Sequence, residues 1–286
     1  MPAISTILVH VDETRHCPAR LGLAIAMARR LEANLVGLFV APPATMPLAL
    51  PGEVSPGWID ALARHRQSAR ARAEEHFAAV SRQMPDAIWR VEEADGLGRV
   101  APVLVREGRR ADLVIVGQSD ADAASLEGPG TVAQDVMMSA GRPVLIVPYA
   151  GRFDGVGRRP LIAWSEGREA ARALYDALPL MRDAEKVMLL EIGPAWAGEE
   201  EVARRREGLA GLRRYLEGHG LPAVSEYLPG VTGMGEASLI LSRAADHGAD
   251  LLVMGGYGHS RLQELVLGGV TRSILSSMTL PVLMSH

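Results

Sequence analysis

Only one of the 286 residues is cysteine, Cys17, and aromatic side chains make up just 4% of the chain. A lone thiol excludes an internal disulfide framework and fits a reducing compartment. So few rings leave no stacking platform for single-stranded nucleic acid, and a formal charge of −4 supplies no basic field for a duplex. The basic start of "ARHRQSARARAEEHF" is followed by acids, which predicts a solvated helix face rather than a binding patch. No apolar run approaches the roughly 18 residues that a membrane-spanning helix needs. The opening "MPAISTILVHVDE" has no basic segment before its apolar stretch and meets an acid at once, so a first strand is expected there and not a leader. The histidines are scattered without metal-ligand spacing: His10 and His16 flank Asp12, and His259 stands far off. Neither a Gly-x-Ser-x-Gly elbow nor a Gly-Lys-Ser/Thr phosphate loop occurs. The expectation is a cytoplasmic protein that engages neither membrane nor nucleic acid.

What the chain does have is a copy of itself. "ADLVIVGQSD" (Ala111–Asp120) shares a frame with "ADLLVMGGYG" (Ala249–Gly258), and "RPVLIVP" (Arg142–Pro148) with "LPVLMSH" (Leu280–His286). Gly117 precedes Pro143 by the same distance as Gly255 precedes Pro281, so Gly130 aligns with Gly268 and Thr131 with Gly269 without a gap. A period of half the chain means a duplicated domain, not a solenoid. The expected domains are residues 1–150 and 158–286, with the Gly- and Arg-rich "YAGRFDGVGRRP" (Tyr149–Pro160) as linker.

Within each half, short apolar runs alternate with helical periodicity. Ile7–Val11, Leu35–Val40, Leu113–Val116 and Val144–Val147 read as strands, as do Leu161–Trp164, Val187–Ile192, Leu251–Met254 and Val282–Met284. Ala19–Leu31, Trp58–Val80 and Glu236–Ala245 read as helices. This alternation implies βαβ units and a parallel sheet, with strands apolar throughout because helices cover both faces. Ligands in such sheets bind at the carboxyl ends of the strands. The Pro-rich "APPATMPLALPGEVSPG" (Ala41–Gly57), which the second half lacks, is expected to be a mobile solvated insertion.

At those carboxyl ends the second half reads Gly255-x2-Gly258, then nine residues, then Gly268-Gly269 ahead of the helical "VTRSILSSM". Glycines there let a ligand approach the backbone, and a helix N-terminus favours an anion. His259, Ser260 and Arg261 add donors or positive charge, so the pattern points to phosphate. By contrast Gly233-x-Gly235-x-x-Ser238 lacks the third glycine of a dinucleotide fingerprint and reads as a loop.

On these residues the chain resembles a universal stress protein of the tandem type, whose motif is Gly-x2-Gly-x9-Gly-(Ser/Thr). The resemblance implies two Rossmann-like domains of the adenine nucleotide alpha hydrolase-like kind. Each would be a five-stranded, mostly parallel sheet with helices on both faces, packed as an intrachain pseudo-dimer, with a homodimer as a further option. It also implies ATP or another adenine nucleotide, with or without Mg²⁺. In the second half Ala163, Ser165 and Ile192 would lie near adenosine. Gly255, Gly258, His259, Ser260, Gly268, Gly269, Val270 and Thr271 would lie near phosphate. The weaker first-half set is Asp12, Val40, Gly117, Gly130 and Thr131, with Asp12 facing the adenosine.

The halves depart from the motif differently. The first has Asp120 for the second glycine and gathers Asp122 and Glu127, and carboxylates beside a phosphate cost about 1 kcal/mol each even in water-like surroundings. The second keeps the glycines but has Ser165 where the family has Asp, and Gly269 where it has Ser or Thr. The nucleotide is therefore expected in the second half alone. Its binding would order the Gly255–Gly269 loop and alter the surface shown to an unknown protein partner in stress physiology. The alternatives are a nucleotide-free interaction module and a slow ATPase or phosphotransfer enzyme.

Overall fold

A computed structural model describes residues 3–42, 56–94, 99–119, 131–230, 235–256 and 269–286. The first half runs β1 (Thr6–Val11), α1 (Cys17–Leu31), β2 (Asn34–Ala41), α2 (Pro56–Gln83) and β3 (Ile88–Glu93), then α3 (Ala101–Gly108), β4 (Leu113–Gly117), α4 (Thr131–Ser139) and β5 (Val144–Val147). The second half follows with β6 (Pro160–Trp164), α5 (Arg168–Ala177), β7 (Val187–Gly193), α6 (Glu199–Gly218) and β8 (Ala223–Pro229). It ends with α7 (Glu236–Asp246), β9 (Leu251–Gly255), α8 (Gly269–Ser277) and β10 (Val282–Ser285). The chain divides into two compact units between Val144 and Leu145.

Both halves use one topology. The strand order is β3-β2-β1-β4 in the first and β8-β7-β6-β9-β10 in the second, and neighbouring strands within each series are parallel. Right-handed crossovers then send α1 and α2 to one face and α3 and α4 to the other; α1 packs on α2, and α3 on α4. This is the expected α/β, Rossmann-like arrangement. The inner strands are buried on both faces: Ile7, Val9, Leu35, Leu38 and Leu113 are fully enclosed, as are Leu161, Leu189, Leu251 and Val253. Each such side chain contributes roughly 1.5–3 kcal/mol of burial.

The expectation of uniformly apolar strands needs one correction. β3 alternates exposed and half-buried positions, β8 mixes exposed positions with buried ones, and Ile88 is 45% exposed. They are edge strands with a neighbour on one side only, so their sequences carry charge that an inner strand would not tolerate.

Strand register fixes which residues correspond. Leu8 stands opposite Val114, and Leu161 opposite Leu252, so Asp12 corresponds to Ser165 and His10 to Ala163. Leu8 also faces Val36 as Leu161 faces Met188, which pairs Phe39 with Glu191 and Val40 with Ile192. At the opposite edge of each sheet an aspartate clasps the start of the repeat. Asp112 accepts the backbone N–H groups of Ser5 and Thr6 at 2.9 and 3.0 Å. Asp250 accepts those of Gly157, Arg158 and Arg159 at 3.0, 2.8 and 3.0 Å. Gly157 has φ +91°, and a Cβ there would collide with the carbonyl of Leu180, so only glycine fits.

The two outer helices are seated by different chemistry. In the first half the ring of Phe77 on α2 fills the space left by Gly37 and lies 4.9 Å from that of Trp89, which stacks on Phe39 at 6.3 Å. In the second half Glu191, 2% exposed, takes the place of Phe39 and is met by Arg205 of α6 at 2.6 Å. Burial raises the pKa of Glu191 even against that guanidinium.

Candidate functional site

The connection from β1 to α1 and that from β6 to α5 form the carboxyl-edge mouths of the two halves. Their helices keep one register: Cys17, Leu21 and Ala24 of α1 are buried as Ala170, Leu174 and Ala177 of α5 are, five, nine and twelve residues beyond Asp12 or Ser165. What differs is the residue eight positions beyond, Arg20 in one and Ala173 in the other.

In the first half the mouth is occupied by the chain itself. Arg20 is the fourth residue of α1, and its side chain is only 4% exposed. Its Nε donates to the carbonyl of His10 at 2.8 Å and its Nη2 to Oδ2 of Asp12 at 2.6 Å. Its Nη1 lies directly over Gly117, where any Cβ would collide with it. Oδ1 of Asp12 already accepts the Thr14 backbone N–H at 3.0 Å and the Thr14 hydroxyl at 2.5 Å. His76 of α2 reaches the Asp12 carbonyl at 3.1 Å through Nδ1. Burial alone would raise the pKa of Asp12, but the Arg20 guanidinium, aided by the nearby His10 and the Thr14 hydrogen bond, brings it down to about 2. His10, 3.8 Å from that carboxylate, is pushed by burial to about 4 despite it, so the imidazole is neutral at neutral pH. Burial pushes the enclosed Cys17 thiol up to about 11, which leaves it unreactive.

Among the described residues the second half has no such plug. Ser165 is exposed, and Ala163 and Ile192 at the ends of β6 and β7 are half-buried. The first turn of α5 lies directly on the end of β9. A Cβ on Gly255 would stand 2.6 Å from the backbone nitrogen of Ala170 and 2.7 Å from the carbonyl carbon of Glu169. Gly255 is thus demanded by helix packing, whatever else it does. Glu169 is buried beneath this turn with its Oε1 held by Arg168 at 2.5 Å. Burial works to raise its pKa, but the Arg168 hydrogen bond and charge, its own backbone N–H and the nearby His286 together lower it. The Arg168 side chain is 86% exposed and leaves a cation at the mouth.

The foot of the glycine loop is pinned by β10. Gly256 donates its N–H to the Ser285 carbonyl at 2.9 Å, and its own carbonyl meets Nδ1 of His286 at 3.1 Å. Beyond residue 268 the described residues resume at Gly269, the first residue of α8; Gly269 is exposed, Val270 half-buried and Thr271 buried. The first turn of α8 carries no acid to repel an anion. Gly258, His259, Ser260 and Gly268 lie outside the described residues, as do Arg261, Gly130 and the first-half acids Asp120, Asp122 and Glu127. In the first half Val40 is buried at the end of β2, Gly117 ends β4, and Thr131 opens α4. The Pro-rich insertion also falls largely outside, between residues 42 and 56.

Among the described residues no group of three or more His, Cys, Asp or Glu could hold a metal ion, and no helix is long and apolar enough to cross a membrane. Arg20, Glu169 and Arg168 were not expected from the sequence. Arg20 did leave a signal: it stands at helical spacing among Cys17, Leu21, Ala24 and Ala28, on the buried stripe of α1.

A repeated α/β unit whose glycine motif sits at the strand ends can be set against known proteins. The model of the universal stress protein family matches residues 3–148 and again residues 167–286. The chain belongs to the universal stress protein family. The second match begins at residue 167, just after β6 and Ser165. Over 176 residues the chain is 26% identical to a universal stress protein of Synechocystis sp., a stretch that covers 60% of this chain and 57% of that protein. The chain therefore spans little more than half the length of that curated relative. Among solved structures, a universal stress protein of Archaeoglobus fulgidus is similar at a TM-score of 0.69 and 16% identity, covering 98% of this chain and 95% of that one. A putative universal stress protein of Pseudomonas aeruginosa is similar at 0.62 and 16% identity, covering 99% and 93%. At such identities these two speak for the fold alone.

Proposed function

We propose that this universal stress protein is a nucleotide-sensing adaptor whose second half takes an adenine nucleotide, while the first half serves as its structural and regulatory partner. The observation that carries this reading is the contrast at the mouths. Asp12 is consumed by Arg20 and Thr14, whereas Ser165 stands exposed beside half-buried Ala163 and Ile192. In this reading Ala163 and Ile192 flank the base and the Ser165 hydroxyl meets the ribose. The phosphates lie toward the N-terminus of α8, whose first N–H groups, at Gly269 and Val270, have no acceptor within the helix itself. Arg168 adds positive charge at the rim. When bound, Mg²⁺ would neutralise phosphate charge.

The test is titration of the full chain and of Gly268→Asp with a fluorescent ATP analogue and Mg²⁺. A carboxylate at the cradle weakens binding at least about tenfold, or roughly 1.4 kcal/mol. Equal binding by both chains overturns the assignment to the second half. A second reading, a nucleotide-free interaction module, draws on the packing of α5 against Gly255, which accounts for that glycine without a ligand. Mass spectrometry of the gently purified chain separates the two, since the second reading requires that no nucleotide is found and that neither chain binds the analogue.

A further inference from the structure

We propose that Arg20 is the residue that shuts the first half's mouth to nucleosides, its guanidinium standing where a ligand would lie. The inference rests on reading these mouths as nucleoside sites, and it adds a determinant that the glycine motif does not contain.

The guanidinium is held by the His10 carbonyl at the end of β1, the Asp12 carboxylate just beyond it, the face of Gly117 at the end of β4 and the Cys17 side chain. β1 and β4 are adjacent, so the group spans the crevice between two neighbouring strand ends, the place where open α/β sheets take ligands. It is planar, permanently charged and able to donate in several directions, which suits it to fill such a slot. Asp12 has little left to offer a sugar hydroxyl, because Oδ1 accepts twice from Thr14 and Oδ2 faces the Arg20 guanidinium. Gly117 keeps its glycine for a reason unrelated to phosphate: a side chain there would displace Nη1. The second half supports the role by contrast, for Ala173 stands eight residues beyond Ser165 as Arg20 does beyond Asp12, and it is buried but too short to reach a strand end.

The experiment uses the full chain, 8-azidoadenosine as an uncharged photolabel, and peptide mapping to assign adducts to Ile4–Val144 or Leu145–His286. An uncharged probe removes any repulsion by the acids that follow Gly117. Wild type gains no adduct in Ile4–Val144, whereas Arg20→Ala labels there at least about tenfold above it. Ethylguanidinium, a soluble replica of the missing group, suppresses that label and raises the melting temperature of the variant but not of wild type. First-half adducts in wild type overturn the proposal. So does a folded Arg20→Ala chain without them, or label that ethylguanidinium leaves untouched. If Arg20→Ala does not fold, Arg20→Ala combined with Asp12→Asn removes both charges and answers the same question. Failure to label Leu145–His286 in any sample counts against the second-half nucleotide site and leaves the Arg20 result standing separately.

Discussion

The two halves solve the same packing problem at β1 and β6 with opposite placements of charge. In the first, a buried guanidinium and carboxylate occupy the crevice, and the outer helix α2 is seated by stacked rings. In the second, the crevice holds an exposed serine, and the ion pair has moved to the outer helix as Glu191 with Arg205. A duplicated fold therefore carries buried ion pairs at non-equivalent positions of its two halves.

The largest effect should come from breaking the displaced pair. Arg205→Ala strands Glu191 at 3% side-chain exposure and is expected to cost roughly 3–5 kcal/mol in urea unfolding. Replacing both partners, Glu191→Leu with Arg205→Met, should return stability to within about 1 kcal/mol of wild type or above it, because the desolvation penalty goes with the pair. A double variant as unstable as the single one would mean that the second half needs the charges themselves.

A smaller split separates the two motif glycines. Gly255→Ala pushes against helix backbone and should lose about 2–3 kcal/mol, whereas Gly117→Ala pushes against the end of one side chain and should lose about 1 kcal/mol. Matched urea melts decide, and the reverse order would exchange the roles assigned to the two glycines.

The smallest effect is acid sensitivity confined to the first half, since Ala163 replaces His10 in the second. The folded pKa of His10 is depressed from 6.5 to about 4, so the fold favours neutral imidazole. Its contribution is fully present above 6.5 and is lost as pH falls toward 4, amounting to on the order of 1–2 kcal/mol at pH 5. Asp12, depressed from 3.8 to about 2, adds a second loss only below 3.8. Thermal melts from pH 7 to 5 should flatten in His10→Gln, and an unchanged slope would acquit the imidazole.

The inner strands were legible because they are unbroken apolar runs, and their observed limits exceed the expected ones by a residue or two, as at Thr6–Val11 and Val187–Gly193. β3 and β8 were not named, because "IWRVEE" and "AVSEYLP" face solvent on one side and look like surface. At the mouths, composition could not reveal that the glycine at 117 makes room for a side chain and the one at 255 for a helix. Glycine is chosen for absent volume, and a sequence does not record what occupies it. Charged residues inside apolar stripes were the readable clue, and both Arg20 and Glu191 fit that description.

The aspartate clasps bear on how the chain can be dissected. Asp250 gathers three successive backbone donors beginning at Gly157, and Val156 just before them is fully buried. A fragment that starts at residue 158 would forfeit the first of those donors and uncover an apolar side chain's site. Protease sites or fusion joints intended to separate the halves therefore belong upstream, among residues 149–155, where the side chains are exposed or half-exposed.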